Sequence, residues 1–275
     1  MTDLQGRPAG DDGLLADLPL DVFAARMDTA GWVLCPQVLA TPVVATLHAD
    51  LQAGYEHCRE VQARQGIVDG TEGTAHHLLG LRPGFLDLLD RQTLAPYLSR
   101  YFGGNYILNS YGGVIHRRGV RSYVGNTHRD IRSFVHGLPL MLNMLVMLDD
   151  FTLENGATFL YPGSHRLAEA PAPAAFVAGA DRAVGNAGDI VLFNSGIWHA
   201  AGDNQSDGPR RGLTLTFTVP YFKPQMDYVT VLGTEAVAAM PPHLQQVLGY
   251  FARVPGSLED WYQPPEKRFY RPGQG

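Results

Sequence analysis

Thr127-His128-Arg129-Asp130 sets an imidazole and a carboxylate two positions apart. On an extended strand, side chains alternate between faces, so His128 and Asp130 point the same way. A second imidazole, His199, follows the apolar run Ile190-Val191-Leu192-Phe193 and reads as standing at a strand end. A sheet that folds over brings that ring onto the face shared by His128 and Asp130. Two imidazoles and one carboxylate hold non-haem Fe(II) on one side and leave positions open on the other for substrate and O2. The same three donors suit a catalytic zinc ion, so the set alone leaves both an oxygenase and a zinc-dependent hydrolase open. A lone His-x-Asp pair is a weak signal, and its neighbours must decide.

Arg210 lies eleven positions after His199 and opens a run in which Thr214 and Thr216 fall on its own face. Small polar side chains leave room there for a bound organic acid. A guanidinium makes two parallel charge-assisted hydrogen bonds to a carboxylate and keeps its proton, which suits it to grip the far end of a dicarboxylate. Arg211 shares the parity of Leu213, Leu215 and Phe217 and is expected to be a surface cation. A zinc hydrolase gives Arg210 no task. A non-catalytic cupin-like barrel gives none to the whole constellation.

The elements that must position these residues are short. From Asn105 onward, apolar runs such as Leu140 to Leu148 and Ile190 to Phe193 alternate with Gly-, Pro-, Asn- and Asp-rich turns, with no helices between them. That spacing predicts an antiparallel barrel or sandwich. Glu154-Asn155-Gly156 and Asn186-Ala187-Gly188-Asp189 supply turns. Upstream, Asp21 to Ala30 reads as a helix capped by Asp21, with Phe23 and Met27 on one face. Gly31 to Cys35 reads as a strand. Thr41-Pro42 opens a longer helix to Val61, because proline fits the first turn. Another helix is expected over Pro242 to Phe251. The architecture that follows is one domain, residues 1–275: a helical N-terminal layer on a jelly roll at about 105–222, with a mobile tail expected at 1–13 and a packing or lid segment at 223–275.

A chain of 275 residues with 45% hydrophobic content can bury a full core. Its net charge of −6 shows no basic footprint for nucleic acid or an anionic membrane surface. No run approaches the ~18 apolar residues that a membrane span needs. Cys35 and Cys58 are too few and too far apart for a disulfide scaffold or a CxxC site, so reduced thiols and a cytoplasmic setting are expected. Nothing here reads out oligomeric state.

The order Thr127-His128-Arg129-Asp130, Asn143 to Asp150, Glu154-Asn155-Gly156-Ala157-Thr158, Pro162-Gly163-Ser164-His165, Gly188 to Phe193, His199 and Arg210 resembles the phytanoyl-CoA dioxygenase family of Fe(II)- and 2-oxoglutarate-dependent oxygenases. The resemblance implies a double-stranded β-helix with His128, Asp130 and His199 as iron ligands at its mouth. It implies that 2-oxoglutarate chelates the metal and is gripped by Arg210, with Thr158 and Asn143 as further cosubstrate contacts. It also implies hydroxylation of a C–H bond of a small-molecule substrate by O2, with succinate and CO2 as coproducts. Desaturation, epimerisation and cyclisation are the alternatives at the same centre. Relatives that transfer halide replace the carboxylate with a small residue, so Asp130 argues against halogenation. His165 is expected to fix its loop. His116, His136, His76 and His77 are candidates for the pocket wall, but a place at the surface or in the core is the expectation for each. Arg117, Arg118, Arg121 and Arg132 flank the His-x-Asp segment, and with Tyr123 they would suit an acidic substrate.

Overall fold

The computed structural model describes residues 18–67, 71–120, 123–135 and 137–268. The expected mobile tail, Arg121, His136, Phe269 and Tyr270 lie outside the described residues. Two antiparallel sheets form from β1 (Trp32–Cys35), β2 (Thr74–Ala75), β3 (Ile107–His116), β4 (Met141–Met147), β5 (Phe159–Leu160), β6 (Asp181–Arg182), β7 (Ile190–Asn194), β8 (His199–Ala200) and β9 (Arg210–Thr218). The larger sheet runs β1-β7-β4-β9-β3-β2 and the smaller β6-β5-β8.

The near-continuous apolar stretches of β4 and β7, broken in β4 by Asn143, follow from burial on both faces. Leu142, Met144, Val146, Ile190 and Leu192 join one core with the helices, whereas Leu145, Met147, Val191 and Phe193 join another with Leu160 of the smaller sheet. In β9, Leu213, Leu215 and Phe217 enter the helix-side core, so Arg210, Gly212, Thr214 and Thr216 face the other way. That alternation fixes the register of the site, because a slip of one residue would exchange the two sets.

Behind the larger sheet lie α1 (Leu20–Thr29), α2 (Thr41–Arg64), α3 (Pro83–Asp90) and α4 (Ala95–Phe102). Phe23 of α1 and Leu47 and Leu51 of α2 are buried, and each such side chain contributes about 1.5–3 kcal/mol. Leu51→Ala would cost about 2–5 kcal/mol and would loosen the helical layer before the site itself.

Several expectations change. Pro19, not Asp21, stands at the start of α1; Asp21 lies in its first turn, where its charge opposes the helix dipole favourably. The sheet extends beyond 105–222, since β1 and β2 from the N-terminal half form its two edges. Between Val61 and Asn105, α3 and α4 each carry a proline in the first turn, and α4 stops at Gly103 in the left-handed region. The helix at Pro242 ends at Val247, because Gly249 takes φ 77° before a short turn at Tyr250–Ala252.

The segment after Pro220 divides. Phe222, Lys223 and Gln225 line the large cavity described below, whereas Tyr228, Val237, Leu244 and Leu248 are buried in the helix-side core. Trp261 and Tyr262 are exposed and line no part of that cavity. Both cysteines are free, and burial pushes the Cys35 thiol up to about 12. Among the described residues no helix is long and apolar enough to cross a membrane.

Candidate metal centre and active site

The His-x-Asp segment is extended but is not a regular strand. His128 forms an isolated antiparallel bridge with His199, and the Asp130 amide donates to the Ser195 carbonyl at 3.0 Å. This single bridge does what a longer strand was expected to do. It sets the two imidazoles side by side, with ring centroids 4.2 Å apart.

Each ring is oriented by its own backbone. His128 Nδ1 lies 2.7 Å from the Asn126 carbonyl and His199 Nδ1 lies 3.0 Å from that of Ile197. A carbonyl only accepts, so both Nδ1 atoms carry a proton, and in the neutral ring Nε2 is then the atom that offers a lone pair. Burial pushes the His199 pKa below its ordinary value, against a smaller upward pull from Asp130, which keeps that ring neutral. His128 Nε2 sits 3.5 Å from Asp130 Oδ1 and His199 Nε2 sits 3.7 Å from Asp130 Oδ2. All three ligand atoms fall within 4.8 Å of one another. Two lone pairs and a carboxylate that converge without a shared proton repel one another unless a cation lies between them. The donor set therefore fits a divalent metal, and its N2O composition leaves positions open.

Asn143, on β4, donates from Nδ2 to Asp130 Oδ2 at 2.5 Å and accepts at Oδ1 from Thr216 Oγ1 at 2.9 Å. Asn143, expected as a cosubstrate contact, lines the cavity described below and turns its amide nitrogen to the carboxylate. Thr216 was read only as a small wall residue. No sequence signal marks the trio, because three separate segments bring it together.

Arg210 is 4% exposed and lines the cavity that contains the triad. Its Nη1 donates to the Gly156 carbonyl and its guanidinium lies 4.4 Å from the Phe151 ring centroid. Its Nε has no partner within the protein. Burial, with Arg182 nearby, pushes its pKa down to about 10, so it remains a cation at neutral pH. Asp149 is occupied by Arg211, whose backbone amide and Nη1 reach its Oδ2 at 2.8 and 3.0 Å. Arg211 is thus a half-buried ion-pair partner rather than a free surface cation. A buried guanidinium with a carbonyl and a ring but no carboxylate is a seat for an anion, which fits the distal carboxylate of 2-oxoglutarate. Thr158 lines the same cavity.

That cavity is about 1120 Å³, larger than the ~300–1,000 Å³ of typical small-molecule pockets. Its described charged walls are Arg129, Arg132, Arg210 and Lys223 against one carboxylate, Asp130. Of Arg117, Arg118 and Arg132, the described arginines expected at the mouth, Arg132 lines it. Arg117 and Arg118 follow the end of β3 at His116, and Arg118 turns outward to pair with Asp207 at 3.2 Å. Tyr123 does line the cavity, with its hydroxyl 2.9 Å from His76 Nε2. His76 and His77, expected at the surface or in the core, line it too. His116 is a satisfied core histidine bonded to the Gly202 carbonyl, and His165 ties its loop to the Asp28 carbonyl. A separate void of about 70 Å³ lies between the helices and the back of the larger sheet, lined mainly by apolar residues such as Leu88, Leu94 and Phe217. It lacks a cluster of chemical groups and reads as a packing gap.

The family model described as phytanoyl-CoA dioxygenase (PhyH) matches residues 27–212, which takes in the triad and Arg210. The chain belongs to the phytanoyl-CoA dioxygenase family. An uncharacterized protein of Mycobacterium tuberculosis is 40% identical over 148 residues, 54% of each chain. The protein named dioxygenase cdmD of Talaromyces verruculosus is 36% identical over 124 residues, 44% of this chain and 39% of that one. The chain thus matches about half the length, or less, of these curated relatives. Among solved structures, the non-haem alpha-ketoglutarate-dependent epimerase SnoN from nogalamycin biosynthesis aligns with TM-score 0.58 and 19% identity, over 72% of this chain and 80% of that one. AviO1 from Streptomyces viridochromogenes Tue57 aligns with TM-score 0.56 and 24% identity, over 75% and 98%. These likenesses show the fold, the cupin-like double-stranded β-helix with flanking helices. The family is one of non-haem Fe(II)- and 2-oxoglutarate-dependent oxygenases, and the donor set and the buried arginine fit that pair.

Proposed function

We propose that this protein is an Fe(II)- and 2-oxoglutarate-dependent dioxygenase that oxidises a C–H bond of a bulky, acidic small molecule. One observation carries the reading. Two imidazole lone pairs and a carboxylate converge in a cavity whose wall also holds a buried, carboxylate-free arginine. His128, Asp130 and His199 would hold the metal, and Arg210 the distal carboxylate of 2-oxoglutarate. Thr158 lends a hydroxyl to the same wall. Bound together, the metal and 2-oxoglutarate supply oxidation by O2, with succinate and CO2 as coproducts.

The chain's own work is to hold, orient and exclude water. The Gly156 carbonyl and the Phe151 ring fix the Arg210 guanidinium before any anion arrives, which lowers the ordering cost of binding. Arg182 adds positive potential beside it. The substrate's place is then the remaining wall, where Arg132 and Lys223 give a carboxylate or phosphate its partners and Tyr123 and His76 give hydrogen bonds. Arg129 is already engaged, donating to the Leu167 carbonyl and lying over Phe134 and Trp198. Structural neighbours titled epimerase and carbocyclase support keeping those outcomes as alternatives to hydroxylation.

The test is succinate release from 2-oxoglutarate in the presence of Fe(II) and O2, screened against acidic and neutral candidate molecules. Stimulation by acidic ones, with KM raised at least tenfold by Arg132→Gln or Lys223→Gln, supports the reading. Unchanged KM values in both variants would remove the acidic substrate. No succinate under any condition would remove the oxygenase.

A further inference from the structure

We propose that Asn143 and Thr216 are positioning residues that fix how Asp130 presents itself to the metal, a role that rests on the metal site proposed above. Asp130 needs such help. It stands outside any strand, is tied by its backbone to Ser195, and has a side chain that is 37% exposed. Asn143 is the opposite case, 4% exposed on the central strand β4, between β7 and β9.

Donor chemistry sets the direction of the device. A carboxylate only accepts, so the Asn143 amide nitrogen must face Asp130 Oδ2, and the amide oxygen is left for the Thr216 hydroxyl, which has a proton to give. Thr216 stands directly opposite Asn143 in the β4–β9 register, so the pin is built into strand pairing. The result is an amide held at both ends that fixes one oxygen of a partly exposed carboxylate. With Oδ2 engaged, Oδ1 is the oxygen offered to a metal. A carboxylate bound through one oxygen would take one coordination position rather than two.

The experiment is anaerobic titration with Co(II), followed by titration of the Co(II)-loaded protein with 2-oxoglutarate. Asn143→Leu should weaken Co(II) binding by about 10–100-fold, as loss of a partner to a ligating group does, and should alter the Co(II) visible spectrum. The affinity of the loaded protein for 2-oxoglutarate should change little. Leu142→Val loosens the same strand from its helix-facing side and should leave the Co(II) spectrum unaltered, which separates positioning from stability. Unchanged Co(II) affinity with a large loss of 2-oxoglutarate affinity in Asn143→Leu would overturn the proposal and make Asn143 a cosubstrate contact. If Asn143→Leu does not fold, the near-isosteric Thr216→Val decides: a severalfold weaker Co(II) affinity supports the device, and an unchanged one overturns it. Asp130→Ala is the control on the underlying reading. If it binds Co(II) as the unaltered protein does, the metal-site assignment fails, and the inference falls with it.

Discussion

His128 and His199 face each other across an antiparallel bridge in which the amide of each donates to the carbonyl of the other, at 3.0 and 2.9 Å. Each also ties its Nδ1 to the carbonyl two residues before it. The two rings are therefore set by the same local device, used once in each segment. One bridge closes a pair of nitrogen donors from distant parts of the chain, and Asp130 completes the set from two residues further on.

Arg210→Ala is expected to weaken 2-oxoglutarate binding by about 2–5 kcal/mol, several orders of magnitude at the upper end, because a carboxylate is left unpaired in a partly dry cavity. Arg211→Ala removes a half-buried pair with Asp149. It should lower the melting temperature slightly while leaving 2-oxoglutarate affinity alone. Titration of both variants by calorimetry checks this, and the reverse order would reassign the anion site.

Gly156→Ala tests the frame behind Arg210. Gly156 takes φ 79°, and a Cβ there would collide with the Gly202 carbonyl. Left-handed strain alone costs about 1–3 kcal/mol, and the collision adds to it. Because the Gly156 carbonyl accepts from Arg210, a drop in urea midpoint should come with weaker 2-oxoglutarate binding. A variant of unchanged stability would show that the loop shifts freely.

How much of this was legible in the residues depends on how far each feature reaches. The parity of Arg210 against Arg211 could be read, because the alternation of Leu213, Leu215 and Phe217 with threonines reports which face is buried. The His-x-Asp pair could be read for the same reason, although the strand around it shrank to one bridge. The tie from Asn143 to Asp130 could not be read, because its partners come from the His-x-Asp segment and β9, and only the register between β4 and β9 brings Thr216 to it. Arg117 follows the end of β3 at His116 and does not line the cavity, and no alternation continues past that strand end to report its direction. His76 and His77 could be read only as candidates for the cavity wall, because the strand before them, β2, is two residues long and gives no periodicity to follow.

Acid should destabilise the fold through histidines that it holds neutral, chiefly the buried His116. Burial, with Arg210 adding to it, pushes the His116 pKa below its ordinary 6.5, and burial does the same for His76 and His77. A histidine with a folded pKa below its unfolded value binds protons more readily when unfolded. Its unfavourable contribution is therefore absent above about pH 6.5 and grows as pH falls toward the folded pKa. Urea midpoints should drop between about pH 7.5 and about pH 5.5, and less steeply in His116→Gln, which keeps a donor for Gly202 and cannot titrate. Identical slopes would exclude His116 from the acid response.

The central claim is that His128, Asp130 and His199 hold Fe(II) beside a 2-oxoglutarate seat at Arg210. Its most direct test is anaerobic absorption spectroscopy of the protein with Fe(II) and 2-oxoglutarate added separately and then together. A visible charge-transfer band that requires both additions, disappears in His128→Ala, Asp130→Ala and His199→Ala, and needs far more 2-oxoglutarate in Arg210→Ala is the result predicted. A protein that binds Fe(II) yet shows no band with 2-oxoglutarate, or an undiminished band in Asp130→Ala, would contradict it.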